Sequence, residues 1–423
     1  VTLKRSLAGG LCLAVSPMLL NVVSLPAMAY LIRQLGPVQY GQWIGASALV
    51  ACVALLSSLG LRGAFIRQLA STDTDTSTAL ANQLGLRLVL SVAASAIALM
   101  AASVLGYPLI VLACVAICSI AMMITSMAVT LLDVLQASHR SASISAMTFI
   151  SGLSLTIASV ATAFAGGGPI WIAASYCVGP VVLLALALRA VKPVCSVRLR
   201  FSGSAMTALL SQSRGFTGQQ LLNSAPAHAE AILLPQLIGL TNFGFYSAGT
   251  LLPSRLSVLP DSVCTATYPL LCERFKEDRK QGVQLAIQAG GIVTAGAFFI
   301  AVIGAVMSGS IARVLFPAQP DLCQFVLLTT IWALPLSAMD ASLGYALNAA
   351  GADRAQARAS LPAALCNVTV IILLMSQLGV VGACIAMPLR YFVRIIMLGT
   401  CCLHLRRANA FNNDGLLSPA TAT

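Results

Sequence analysis

The sequence predicts an all-α integral membrane protein of about twelve transmembrane helices, arranged as two parallel-repeat six-helix lobes around a central cavity. Three observations predict it: an extreme apolar composition, a one-sided distribution of basic residues, and an internal repeat. The chain has 423 residues, 58% of them hydrophobic and 9% charged, with a mean hydropathy of +0.92. No water-soluble domain of this size stays dispersed with that balance. At roughly 20 residues per span, about twelve spans leave about 14 residues for each loop, so there is no room for a separate soluble domain. A transmembrane barrel would alternate apolar and polar residues in short segments. Runs such as Leu84 to Leu105 are instead apolar all round, and only helices fit them.

Taken in order, the apolar runs place spans beginning near Leu11, Trp43, Leu84, Leu109, Ile144, Ile170, Phe216, Ala248, Ile287, Leu322, Leu361 and Ala383. The first six form an N-terminal lobe over 1–200 and the next six a C-terminal lobe over 201–405, with a tail over 406–423. With the N-terminus inside, eighteen of the 24 Lys and Arg residues fall in inner loops, and two, Arg33 and Arg313, in outer ones. Positive-inside asymmetry of this size puts both termini in the cytoplasm. It also accounts for the net charge of +12 without any nucleic-acid partner. Lys4-Arg5, the apolar run after it and Ala27-Met28-Ala29 imitate a cleavable signal, but cleavage would leave eleven spans, so the first span is expected to be retained.

The repeat is the most informative feature. Leu35-Gly36-Pro37-Val38-Gln39-Tyr40-Gly41-Gln42-Trp43 recurs as Ile238-Gly239-Leu240-Thr241-Asn242-Phe243-Gly244-Phe245-Tyr246 at an offset of 203. Each copy links the first and second spans of a half on the outer side. A weaker echo pairs Leu135-Gln136-Ala137 with Leu347-Asn348-Ala349 after the fourth span of each half. Six spans is an even number, so the halves share one orientation, and a cavity between parallel halves is ordinarily used for alternating access.

Leu35 to Trp43, followed by Ser58-Leu59-Gly60-Leu61-Arg62, resembles the start of the oligosaccharide (O-antigen type) flippases, a polysaccharide transport branch of the multidrug/oligosaccharidyl-lipid/polysaccharide exporter superfamily. Leu237-Ile238-Gly239 through Ala248, and Tyr268-Pro269-Leu270-Leu271, resemble the second half of the same family. The resemblance implies transport, and no enzymatic activity or cofactor. Its cargo would be undecaprenyl-diphosphate-linked oligosaccharide, an O-antigen or exopolysaccharide repeat unit, moved from the cytoplasmic to the periplasmic leaflet of a bacterial inner membrane. Ion-gradient coupling, and a polysaccharide polymerase and export machinery as partners, are also implied. The alternative is a small-molecule or drug exporter of the same superfamily; such exporters often carry an acid in the first span, where this chain has Asn21, and intramembrane arginines favour an anionic cargo over a cationic drug. A major-facilitator protein is disfavoured because Leu61-Arg62-Gly63-Ala64-Phe65-Ile66-Arg67-Gln68 lacks that family's loop signature, and a glycan polymerase or ligase because every outer loop is short.

Such a cargo needs cations inside the bilayer. Arg87, Arg255, Arg390 and Arg394 fall within spans, where an unpaired arginine facing lipid is costly. Arg390 and Arg394 share a helical face, and forked guanidinium donors suit a diphosphate. Arg255 is a third candidate cargo contact, whereas Arg87 lies near the inner edge of its span and is expected to snorkel. On the seventh span, Gln219, Asn223 and Glu230 share one face around Pro226. Gln219 and Asn223 are candidate cavity contacts. Glu230, and Asp261 on the proline-broken eighth span, are candidate ion-coupling carboxylates. Asp133 and Asp340 read as anchors near inner span ends. No metal site is expected, since no Cys/His cluster has ligand spacing, and Gly166-Gly167-Gly168 reads as an outer turn.

Overall fold

The computed structural model describes residues 2–58, 61–62, 65, 69, 76–138, 140–317, 319–351 and 353–413. Within its helices, the side chains of 2–18, 141, 204–205, 212–231, 269, 279, 353–355, 357–361 and 401–413 lie outside that description. The described chain is helical and without strands: α1 (Thr2–Ser58), α2 (Thr76–Val104), α3 (Leu109–Ala137), α4 (Ser141–Phe164), α5 (Pro169–Ser175), α6 (Val178–Val191), α7 (Gly203–Gly249), α8 (Leu251–Leu256), α9 (Val258–Glu277), α10 (Arg279–Val306), α11 (Ser308–Leu315), α12 (Pro320–Thr330), α13 (Ala333–Ala349) and α14 (Asp353–Asn413).

Three helices are interrupted at one glycine each. α1 passes through Gly36 (φ 66°), α7 through Gly239 (φ 79°) and α14 through Gly379 (φ 56°). A left-handed φ forces the Cβ of an ordinary residue against its carbonyl, and glycine has none. Gly36 and Gly239 are the repeat glycines, so the sequence repeat is a repeat of backbone conformation.

Eight stretches of described helix are long and apolar enough to cross a membrane. Two of them, Leu19–Ser58 and Pro362–Thr400, contain Gly36 and Gly379 and hold two spans each. The long α7, broken at Gly239, supplies two more with α8 and α9. The result is a multi-pass membrane protein of twelve spans. The second span resumes at Pro37, directly after Gly36, and not near Trp43 as apolar counting places it. Gln39 and Gln42 lower the hydropathy there without interrupting the helix. The eighth span breaks at Thr250 and Ser257, each one turn before Pro253 and Pro260, because proline removes a hydrogen bond and crowds the preceding turn.

Following the sequence repeat, α1–α6 are called the first lobe and α7–α14 the second; α1 packs on α7 along their shared boundary. The contact is reciprocal. A Cβ on Gly41 would overlap the carbonyl oxygen of Leu240, and a Cβ on Gly244 would overlap that of Pro37. Pro37 and Leu240, like Gly41 and Gly244, are repeat counterparts, so each lobe presses the same backbone surface onto the other. Around this contact, Leu31, Tyr40 and Trp43 of the first lobe join Phe245, Ala248 and Phe316 of the second in one apolar cluster. The rings of Trp43 and Tyr176 are 4.8 Å apart, and Phe245 meets Phe316 edge-on at 4.8 Å. Toward the other end, one buried cluster around Leu131 and Leu135 is confined to the first lobe and another around Leu334 and Ala338 to the second; Leu209 of α7 packs across onto Leu61 and Leu86. The lobes are sealed together where Gly36 and Gly239 lie.

Candidate functional site

The structure gives each intramembrane arginine a neighbour, and the neighbours differ in kind. Arg255, between α8 and the lobe boundary, donates from Nη1 to Oδ1 of Asn21 on α1 at 2.7 Å. This bond crosses between lobes. Its charge also reaches the buried Tyr40 and the partly buried Tyr176. Asn21 is neutral, and Arg255 has no ion pair among the described residues.

Arg394 is paired: its Nε lies 3.2 Å from Oδ1 of Asp340 on α13. Both atoms are sealed from solvent and poorly aligned for a hydrogen bond. A third of the Arg394 side chain is nonetheless exposed, so that exposure belongs to its other atoms. Arg390, on the same helical face, donates to the hydroxyl of Tyr391 at 3.1 Å and lies 4.8 Å from that ring's centroid. The like charges four residues apart are thus held by different partners.

Arg394 and Asp340 border a cavity of ≈ 320 Å³ between α9, α13 and α14. Nine of its eleven lining residues have polar side chains, the others being Ala341 and Gly344. In a chain with 9% charged residues, such a lining is concentrated chemistry. Its ionisable carboxylates and guanidinium are those of Asp261, Asp340 and Arg394, one carboxylate in excess. Asp340 is therefore a pocket residue as well as an anchor, which its position along the span did not reveal.

The first lobe fills the corresponding place. Asp133, fully buried, lies 2.9 Å from Arg62 Nε and 3.5 Å from Arg87 Nη2. Arg62 also donates from Nη2 to Gln136 Oε1 at 2.7 Å. The offset of 203 makes Thr265 the counterpart of Arg62, and the Leu135/Leu347 echo makes Tyr345 and Asn348 the counterparts of Asp133 and Gln136. In the second lobe Thr265 Oγ1 and Tyr345 Oη lie 2.8 Å apart. A short hydroxyl there replaces a long guanidinium, and the space beside Tyr345 and Asn348 stays open. Arg87 does not snorkel as expected: it is 3% exposed, because its side of the helix faces inward, where the buried Asp133 carboxylate takes its guanidinium.

Of the other sequence candidates, Asp261 lines the pocket, while the side chains of Gln219, Asn223 and Glu230 lie outside the described residues. Asn21, Asp340 and Arg62 were not selected as site residues from the sequence. A signal for Asn21 existed, as the polar residue of an apolar span.

Two lobes meeting at repeat-related hairpins are a fold shared with solved structures of membrane proteins. The chain is similar in fold to the lipid II flippase MurJ in an inward closed conformation, with a TM-score of 0.72 and 12% identity over 91% of this chain and 86% of that one. It is also similar to a MOP superfamily transporter from Pyrococcus furiosus (TM-score 0.63, 13% identity, 97% of each chain) and to the eukaryotic MATE transporter AtDTX14 (TM-score 0.58, 16% identity, 95% of each chain). No curated protein matches it in sequence. The chain belongs to the polysaccharide biosynthesis protein family, whose family model matches residues 30–323. The solved structures that share its fold are a lipid II flippase and transporters.

Proposed function

We propose that the protein is a flippase that moves undecaprenyl-diphosphate-linked oligosaccharide, an O-antigen or exopolysaccharide repeat unit, from the cytoplasmic to the periplasmic leaflet of a bacterial inner membrane by alternating access. The observation that carries this reading is Arg255: a cation at the lobe boundary, held by the neutral Asn21 across the interface. A lipid diphosphate passing between the lobes meets a guanidinium with no carboxylate partner among the described residues, whose forked donors match it. It replaces Asn21 as partner and so loosens an interlobe bond. Arg390, Arg394, Gln219 and Asn223 are further cargo contacts. In this orientation both termini are cytoplasmic and the Gly36/Gly239 seal is periplasmic.

Deleting the gene in a strain with no second flippase should lower surface polysaccharide and make lipid-linked oligosaccharide accumulate in the cytoplasmic leaflet. Wild-type protein should restore both, and an equally abundant Arg255→Ala protein should restore neither. Normal surface polysaccharide without accumulation would sink the proposal. It would favour export of a small cationic molecule, a reading that the lining carboxylates of Asp261 and Asp340 support. Glu230 and Asp261 are the proposed coupling carboxylates. In proteoliposomes, Glu230→Gln or Asp261→Asn should abolish the dependence of flux on the ion gradient; unchanged dependence in both rules them out.

A further inference from the structure

We propose that the cavity of the second lobe is a glycan subsite, which receives a sugar ring of the cargo during loading. The proposal rests on the flippase reading and adds to it where the sugar is recognised.

The charge balance selects the ligand. Asp261 and Asp340 balance Arg394 and, behind the lining Tyr391, Arg390, so the cavity has no surplus positive charge to hold a diphosphate and accepts a neutral, hydroxyl-rich group. The diphosphate is left to Arg255, on the neighbouring turn of the same span. The lining chemistry also suits a sugar. Carboxylates accept hydrogen bonds from hydroxyl groups, Arg394 donates, and Asn348 and Gln356 do both. Tyr345 and Tyr391 add aromatic surface for sugar C–H faces. Tyr345 is held edge-on to Tyr268 at 5.7 Å, and Tyr391 is held by Arg390. Two supported rings on different helices form a stiff frame. A volume of ≈ 320 Å³ lies at the lower end of small-ligand pockets, roughly 300–1,000 Å³.

The repeat supplies an independent observation. In the first lobe, Asp133 and Gln136 are occupied by the guanidinium of Arg62, at 2.9 Å and 2.7 Å. Their counterparts Tyr345 and Asn348 face the cavity, and the counterpart of Arg62 is Thr265, too short to fill it. One lobe carries its own donor at this place, and the other is open to donors from outside. Asn348 lies in the last turn of α13 and Gln356 in the first turn of α14, at the end away from the Gly36/Gly239 seal. That end is cytoplasmic in the proposed orientation, so a glycan entering from the cytoplasm reaches the cavity before the seal opens.

The test uses the full-length protein in proteoliposomes, with the lipid-linked oligosaccharide isolated from the deletion strain as substrate and undecaprenyl diphosphate, which lacks the glycan, as competitor. Gln356→Ala removes a lining amide. Thr265→Arg places in the second lobe the side chain that fills the first. Each variant should raise KM for the lipid-linked oligosaccharide about tenfold, the scale of one or two hydrogen bonds, at unchanged kcat. The inhibition constant of undecaprenyl diphosphate should not change, which also shows that the variants are folded. A parallel rise in KM and in the inhibition constant overturns the proposal, as does no change in KM. Loss of ion-gradient dependence in Gln356→Ala at unchanged KM assigns the cavity to coupling through Asp261 alone and overturns it too. A wild-type protein that moves no lipid-linked oligosaccharide overturns the flippase reading and this one with it, whereas wild-type flux with unaltered KM in both variants overturns the glycan subsite alone.

Discussion

A Gly41→Ala protein is expected to lose about tenfold or more of its transport activity at normal abundance, and Gly244→Ala to do the same. The added methyl meets a backbone carbonyl of the opposite lobe, Leu240 in one case and Pro37 in the other. A backbone oxygen inside a helix has no rotamer through which to move away. Overpacking of this kind typically costs about 1–3 kcal/mol. The cost falls only on the conformation in which the lobes touch, because either helix alone accommodates alanine better than glycine. The substitution therefore shifts the population toward separated lobes at this end and leaves each lobe intact. Spin labels at the exposed, repeat-related positions 39 and 242 measure that shift directly: their distance distribution should broaden toward longer values in either variant. Gly296→Ala, at a glycine with open space around it, should leave distance and activity unchanged. Normal activity and an unchanged distance in the Gly41 and Gly244 variants would show that the seal tolerates the methyl and that the reciprocal contact does not set the equilibrium.

That contact also marks how far the sequence could be read. The aromatic-glycine repeat was visible because the two copies must build the same backbone, and an identical left-handed break at Gly36 and Gly239 demands glycine in both. That Gly41 and Gly244 face each other was not visible, since a repeat gives correspondence and not contact. The spans followed from apolar length, with the second one displaced because hydropathy averages glutamines into a loop while helix formation does not. The basic residues divide the same way. Arg255, Arg390 and Arg394 stood out because arginine is rare inside apolar runs, but nothing in the spacing paired Arg394 with Asp340 or Arg255 with Asn21, more than 200 residues away. Arg62 counted toward orientation, and its role in filling the first lobe became apparent only with Asp133 beside it. For Arg87, depth along the span was legible and direction around the helix was not, and direction decided the outcome.

The buried cluster of the first lobe leads to the second large effect. Asp133→Ala should lower stability by about 3–5 kcal/mol, because it leaves the Arg87 guanidinium buried without a carboxylate. The side chains of Asp133 and Arg87 are 0% and 4% exposed, so water cannot take over the missing role. Arg62 is 58% exposed, and Arg62→Ala should cost about 1 kcal/mol or less. The double substitution Asp133→Leu with Arg87→Leu removes both charges and should recover much of the loss, since desolvating an ion pair offsets most of its attraction. Thermal unfolding midpoints in detergent and abundance in membranes measure these differences. A single variant as stable as wild type, or a double variant as unstable as the single, would mean that the cluster does not hold the lobe together. The contrast with Gln356→Ala then separates the two lobes by function. Charge removed from the closed first lobe is read as lost stability, because the charges there satisfy one another. A polar group removed from the open cavity of the second lobe is read as a change in KM, because its partner arrives with the cargo.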